Sequence, residues 1–137
     1  MKGLAFLIGV WQTQGEVVAE HDNPAIKFRG TDSYEWILNK NFILHKVDVQ
    51  VGDEKTEAYE MIGSFDPETT KYKMRSFDNQ GAFAEMEAHI DDKGVLHIVG
   101  ADMRSQLVRQ GQNNLVAHWE RLSGETWIPW MSLRLSR

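Results

Sequence analysis

The sequence predicts an all-β fold: a closed antiparallel up-and-down barrel of about ten strands, with a short N-terminal helical turn plugging one end. Three observations point to it. From Val10 onward apolar residues recur with a period near two, the spacing of a strand with one buried face. Turn signals interrupt that alternation about every eight to twelve residues. The connections between them are too short for crossover helices, so neighbouring strands run antiparallel, and a meander of this many strands leaves two raw edges unless it closes.

Residues 2–8 read as the helical turn, with Leu4, Leu7 and Ile8 on one side. Breaks follow at His21-Asp22-Asn23-Pro24, Asn39-Lys40-Asn41, Gly52-Asp53-Glu54, Asp66-Pro67-Glu68-Thr69 and Asp78-Asn79-Gln80-Gly81. The later ones are Asp91-Asp92-Lys93-Gly94, a weak break at Ala101-Asp102, Gln110-Gly111-Gln112-Asn113 and Ser123-Gly124-Glu125. Each supplies a residue tolerant of left-handed backbone, a Pro that presets φ, or an Asx side chain that bonds its own backbone. If the helical turn plugs the end where the first strand starts, the loops at 39–41, 66–69, 91–94 and 110–113 share that end. The remaining loops then ring a mouth at the other.

A chain of 137 residues, 42% of them hydrophobic, builds one core, and residues 1–137 read as one domain without linker, repeat or low-complexity tract. Twenty acidic against 15 basic side chains give a net charge of −5, with no Lys/Arg cluster, so no nucleic-acid partner is expected. The absence of cysteine excludes disulfide frameworks, thiolate zinc sites and cysteine nucleophiles. The N-terminal apolar run is short, shows no small-residue cleavage site and passes directly into Trp11, so it reads as a structural cap. No run is long enough to span a bilayer as a helix; no membrane partner and a cytoplasmic location are expected.

The opening Gly9-Val10-Trp11 resembles the Gly-x-Trp first strand of lipocalin-like (calycin) barrels. Further segments resemble a bacterial family of calycin-type barrels that carry a domain of unknown function: Thr31 through Leu38, Asn41 through His45, Ile62 through Tyr72, and Trp119 through Leu135. The resemblance implies the fold and no reaction, since that family has no assigned catalytic residues to carry across. It also implies that the first-strand Trp packs beneath the barrel against an Arg of the last strand. Trp11 matches the first partner, and Arg134 or Arg137 the second, with Arg134 favoured because a terminal Arg137 should fray.

Alternation assigns faces strand by strand. Phe28, Asp32, Tyr34, Trp36 and Leu38 share an inward face in the second strand; Tyr59, Met61 and Phe65 in the fourth; Tyr72, Met74 and Ser76 in the fifth; Ala84, Met86, Ala88 and Ile90 in the sixth. His45 lies with Ile43, Val47, Val49 and Val51, while His118 lies with Val116, Glu120 and Leu122, so both read as inward. The expected cavity lining is therefore Tyr34, Trp36, His45, Tyr59, Met61, Tyr72, Met74, Met86, His118 and Glu120. Methionines give adaptable apolar walls and the polar groups a few anchors. The competing account is that these side chains simply fill the core.

The leading expectation is a barrel that binds a small apolar or amphipathic molecule without a cofactor, and no His spacing resembles a metal signature. One alternative is a haem-binding barrel, since nitrobindins are similar in length, strand number and Gly-x-Trp opening. Gln12-Thr13-Gln14-Gly15 keeps only one of the glycines that follow their Trp, and no His stands in the matching closing segment. A second alternative is a small cofactor-free isomerase or hydrolase using an inward His118–Glu120 pair, with Asp32 and Tyr72 as the other interior acid–base candidates. Trp127, Pro129 and Trp130 either gate the mouth, pack on a neighbouring strand or form a homodimer contact.

Overall fold

The computed structural model describes residues 1–19 and 23–137; His21 and Asp22, which begin the first expected turn, lie outside the described residues. A 3₁₀ helix over Lys2–Leu7 leads into ten strands. They are β1 (Gly9–Val17), β2 (Ile26–Ile37), β3 (Phe42–Val51), β4 (Glu54–Asp66) and β5 (Lys71–Asp78), then β6 (Phe83–Ile90), β7 (Leu96–Val99), β8 (Met103–Arg109), β9 (Asn114–Ser123) and β10 (Thr126–Ser136). Each strand pairs antiparallel with its sequence neighbours, and β10 pairs back onto β1 to close the barrel. Closure removes the two raw edges that an open meander would expose.

The plugged end is dry. Leu4 and Leu7 of the 3₁₀ helix point down into a cluster with Trp11, Ile43, Ile62, Tyr72, Ala88, Leu96, Leu115 and Leu135, all essentially sealed from solvent. Gly3 is small because it sits over the Tyr72 hydroxyl, where a Cβ would come within 2.8 Å. Gly30, on the inner face of β2 opposite Thr13, marks a close approach of two strands: a Cβ there would overlap the Asp48 carbonyl oxygen of β3.

The latch beneath the barrel forms with Arg137, which corrects the preference for Arg134. The β1–β10 register pairs Gln12 with Ser136 and brings the last residue over Trp11, its guanidinium carbon 4.0 Å from the ring centroid. Arg137 does not fray, because it donates to the Ile8 carbonyl at 2.6 Å and the Gln112 carbonyl at 3.0 Å. Arg134 has the opposite parity to buried Leu135, so it lies on the outer face and donates to Gln110 Oε1. Trp11 completes the joint by donating its indole N–H to the Leu7 carbonyl at 2.8 Å, which ties the 3₁₀ helix to the barrel floor.

Trp11→Ala should therefore lower the unfolding free energy by about 3–5 kcal/mol, the usual cost of emptying a buried aromatic site. Arg137→Ala should cost about 1–2 kcal/mol through the lost cation–π contact and hydrogen bonds. Arg134→Ala should stay within about 0.5 kcal/mol, as an exposed substitution does. Urea titrations of the three variants check this, and equal losses at Arg134 and Arg137 would contradict the latch.

Candidate functional site

Halfway up the inner wall, one hydrogen-bonded row crosses five adjacent strands: Tyr34 of β2, His45 of β3, Glu60 of β4, Ser76 of β5 and Ala84 of β6 stand directly opposite one another in sequence. Inward alternation explains why they share a level. Asp32, two residues from Tyr34 on β2, and Thr13 of β1 join the row from the side.

His45 is held at both ring nitrogens. Nε2–H donates to Asp32 Oδ1 at 2.6 Å and Nδ1–H donates to Glu60 Oε1 at 2.9 Å. A neutral imidazole has only one N–H, so both bonds to carboxylates require the imidazolium. Burial pulls its pKa down, but the hydrogen bonds and charges of Asp32 and Glu60 outweigh this and raise it from 6.5 to about 9. Thr13 donates its hydroxyl to Asp32 Oδ2, so both oxygens of Asp32 are engaged. The Tyr34 ring lies flat on the imidazolium, with centroids 4.0 Å apart and planes 7° apart. Burial first, then the charges of Asp32 and Glu60, push the Tyr34 phenol well above its ordinary range and keep it neutral.

Glu60 is 8% exposed, and its hydrogen bond to His45 uses one oxygen, Oε1. Its neighbours along the row are small: Ser76 and then Ala84, with Ala58 next on its own inner face. From this level towards the mouth the inner wall changes character. Val47, Ala58, Ser76, Ala84 and Met103 face inward yet remain half-buried, while inward Phe28 and Val49 on β2 and β3 stay buried. Across the barrel on β8, inward Ser105 is 4% exposed, and its hydroxyl is the one buried side-chain polar atom without a partner among the described residues.

The wall is also cut away beside Ala84. The four residues of β7 pair with Glu87 through Ile90 of β6, so Phe83 through Met86 have no β7 partner. A groove of about 540 Å³ opens there, lined by outward Lys73, Arg75 and Glu85 together with inward Met74 and Met86.

Of the residues expected to line a cavity, Tyr34, Trp36, His45, Tyr72, Met74 and Met86 lie on the inner face. Tyr72 belongs to the sealed plug rather than to the half-open upper wall. Four others are corrected. Tyr59 is 55% exposed and Met61 shares its outer face; Tyr59 pairs across strands with Phe77, which in turn stacks on Phe83. The inward face of β4 carries Ala58, Glu60 and Ile62 instead, because Glu60 finds its partner in His45 only from that side. Phe65 lies beyond a register shift and is also exposed, and Leu38 leaves the end of β2 for solvent with φ +50°.

His118 and Glu120 likewise point outward. On β9 the inward set is Leu115, Ala117 and Trp119; His118 is exposed, and Glu120 accepts from Arg104 Nε at 2.7 Å on the outer wall. Arg104 in turn caps Trp127, while Trp130 meets inward Trp119 edge-on. The cofactor-free acid–base reading built on an inward His118–Glu120 pair therefore loses its pair. Sequence reasoning placed Asp32 and His45 inside but missed Thr13 and Glu60. The available signal was that an inward His with an inward Asp needs a further acceptor, and Glu60 stands directly across from His45.

Among the described residues the histidines do not fit a haem. Both nitrogens of His45 are committed, His118 faces solvent, and His97 is bonded to Asp91 and stacked on His89 on the outer wall. Among the described residues no group of three or more His, Asp or Glu side chains is arranged to hold a metal ion. No helix is long and apolar enough to cross a membrane.

The fold and the site define a closed ten-stranded barrel with an ionic layer on four adjacent strands. A family model described as Protein of unknown function (DUF1579) matches residues 2–95, and the chain belongs to that family. The matched segment runs from the 3₁₀ helix past β6 and so contains Thr13, Asp32, Tyr34, His45 and Glu60. No curated protein matches the chain.

Because the His45 pKa is raised on folding, its contribution to stability is complete below pH 6.5 and is lost as pH rises through about 9. The urea midpoint should fall across that window. His45→Gln should flatten the decline and lower the midpoint at neutral pH, and an unchanged pH profile would contradict the imidazolium assignment.

Proposed function

We propose that the chain is a binding barrel for a small amphipathic molecule, with the ligand's apolar body in the upper barrel and its polar end on the ionic layer. The supporting observation is the change of wall at that layer: bulky sealed side chains below it, and above it small, half-open inward ones on β4 to β6 beside buried Phe28 and Val49. A filled core would be sealed at both levels. The polar layer supplies the few fixed hydrogen-bonding groups that orient a ligand in an otherwise apolar site. The fold is consistent with a calycin-type barrel, an architecture that encloses ligand cavities once it exceeds the size that side chains fill.

A neutral apolar fluorophore such as N-phenyl-1-naphthylamine tests the reading. One saturable site per chain is expected, with fluorescence enhanced by transfer from the inward tryptophans. Ala84→Trp, which fills the small-residue end of the row, should abolish it, whereas His118→Ala on the outer wall should leave it unchanged. Absence of saturable binding, or binding indifferent to Ala84→Trp, would sink the proposal.

A further inference from the structure

The ionic layer also states which kind of polar end the barrel accepts. We infer that the site selects a cationic head group, a protonated amine on an apolar body, which binds at the open oxygen of Glu60. The inference rests on the binding-barrel reading and adds the chemical class of the ligand to it.

The charges inside the layer do not balance: two carboxylates, Asp32 and Glu60, surround one imidazolium, His45. The acceptors are unequally used. Asp32 spends both oxygens, on His45 and Thr13, while Glu60 spends Oε1 on His45 and has no hydrogen bond to Oε2 among the described residues. The imidazolium cannot serve an anionic ligand, because both of its N–H groups are already donated to carboxylates. Arg121, near the rim of β9 opposite Met103, has interactions of its own. A carboxylate head entering from the mouth would therefore meet negative oxygen without a free donor. An ammonium would complete the Glu60 carboxylate and neutralise the layer.

Geometry leaves room for it. Ser76 and Ala84 continue the row past Glu60 and Ala58 lies above it, so small side chains surround the open oxygen on the side away from His45. The wall is also shortened next to this row, since Phe83 through Met86 of β6 have no β7 partner. The unpartnered Ser105 hydroxyl, nine-tenths buried and inward on β8, is a second group that a polar ligand would satisfy. A charge-assisted bond in such a site is stronger than a neutral one by an amount that corresponds to about tenfold in affinity.

Three probes with one apolar body, n-octylamine, n-octanol and n-octanoate, separate the possibilities by calorimetric titration of the intact protein at pH 7. Octylamine should bind about tenfold tighter than octanol, and octanoate more weakly than octanol. Glu60→Gln should erase the amine's advantage while octanol binding persists. The ranking on unaltered protein stands even if that variant folds poorly. Equal binding of amine and alcohol, or tightest binding of octanoate, overturns the head-group assignment and leaves the binding barrel intact. If neither the three probes nor the naphthylamine fluorophore binds, both readings fall together.

Discussion

An imidazolium that gives both N–H groups to carboxylates inside a barrel fixes the strands that carry its partners. Asp32 and Glu60 sit on the two strands flanking His45, so slipping either strand by one residue would turn a charged group outward and leave the others buried without a counter-charge. Apolar alternation alone tolerates such a slip on β4, where Tyr59 and Met61 offer a second apolar face to the core. The ionic layer does not tolerate it. Breaking a buried pair by removing one partner costs roughly 3–5 kcal/mol, more than a swapped aromatic face recovers in a half-open wall. The register of the β2–β4 sheet is thus set by charge, with packing following.

The same layer divides the barrel. Below it the 3₁₀ helix, Trp11 and the C-terminal Arg137 close the floor, so both ends of the chain are used to seal one end of the cylinder. Above it β4, β5 and β6 present Ala58, Ser76 and Ala84 to the interior, while Phe28 and Val49 keep the β2–β3 side filled. Burying Asp32, His45 and Glu60 at the boundary requires that each find a partner, and all three do, through bonds that leave one Glu60 oxygen over. An apolar floor would have been the simpler way to fill this volume. Retaining a charged one ties the three strands together by specific pairings that an apolar layer would lack.

The ten strands, their antiparallel order, the N-terminal plug and the loops at each end were all legible in the sequence, because turn chemistry and period-two alternation are local signals. The site was legible only in part. Asp32, Tyr34 and His45 could be placed inside from their neighbours on β2 and β3, where one face is plainly apolar. Strands β4 and β9 carry apolar residues on both faces, and the rule that the more aromatic face goes inward chose wrongly at Tyr59 and Met61. On β9, Val116 and Leu122 drew His118 and Glu120 inward in the reading, whereas Leu115, Ala117 and Trp119 form the true inner face. What decides β4 is a pairing between residues fifteen apart, His45 and Glu60, which no local period encodes. The terminal Arg137 was discounted as frayed, yet carbonyls of Ile8 and Gln112 anchor it, another long-range effect.

Shortness of β7 is the remaining asymmetry of the fold, and it bears directly on access. A full-length strand at this position would pair with Phe83 through Met86 and carry the wall to the rim beside Ala84. Instead Gly100 turns the chain away after Val99, where a Cβ would stand 3.0 Å from the Met86 side chain. The resulting notch lies on the small-residue side of Glu60 and away from the stacked Tyr34. The groove outside it carries Lys73, Arg75 and Glu85 as well as Met74 and Met86, whose unbranched side chains adapt to irregular shapes at little cost. The wall therefore opens on the same flank of the barrel that holds the spare acceptor, which is the arrangement a site needs if its polar group is to select what enters rather than merely stabilise the strands that enclose it.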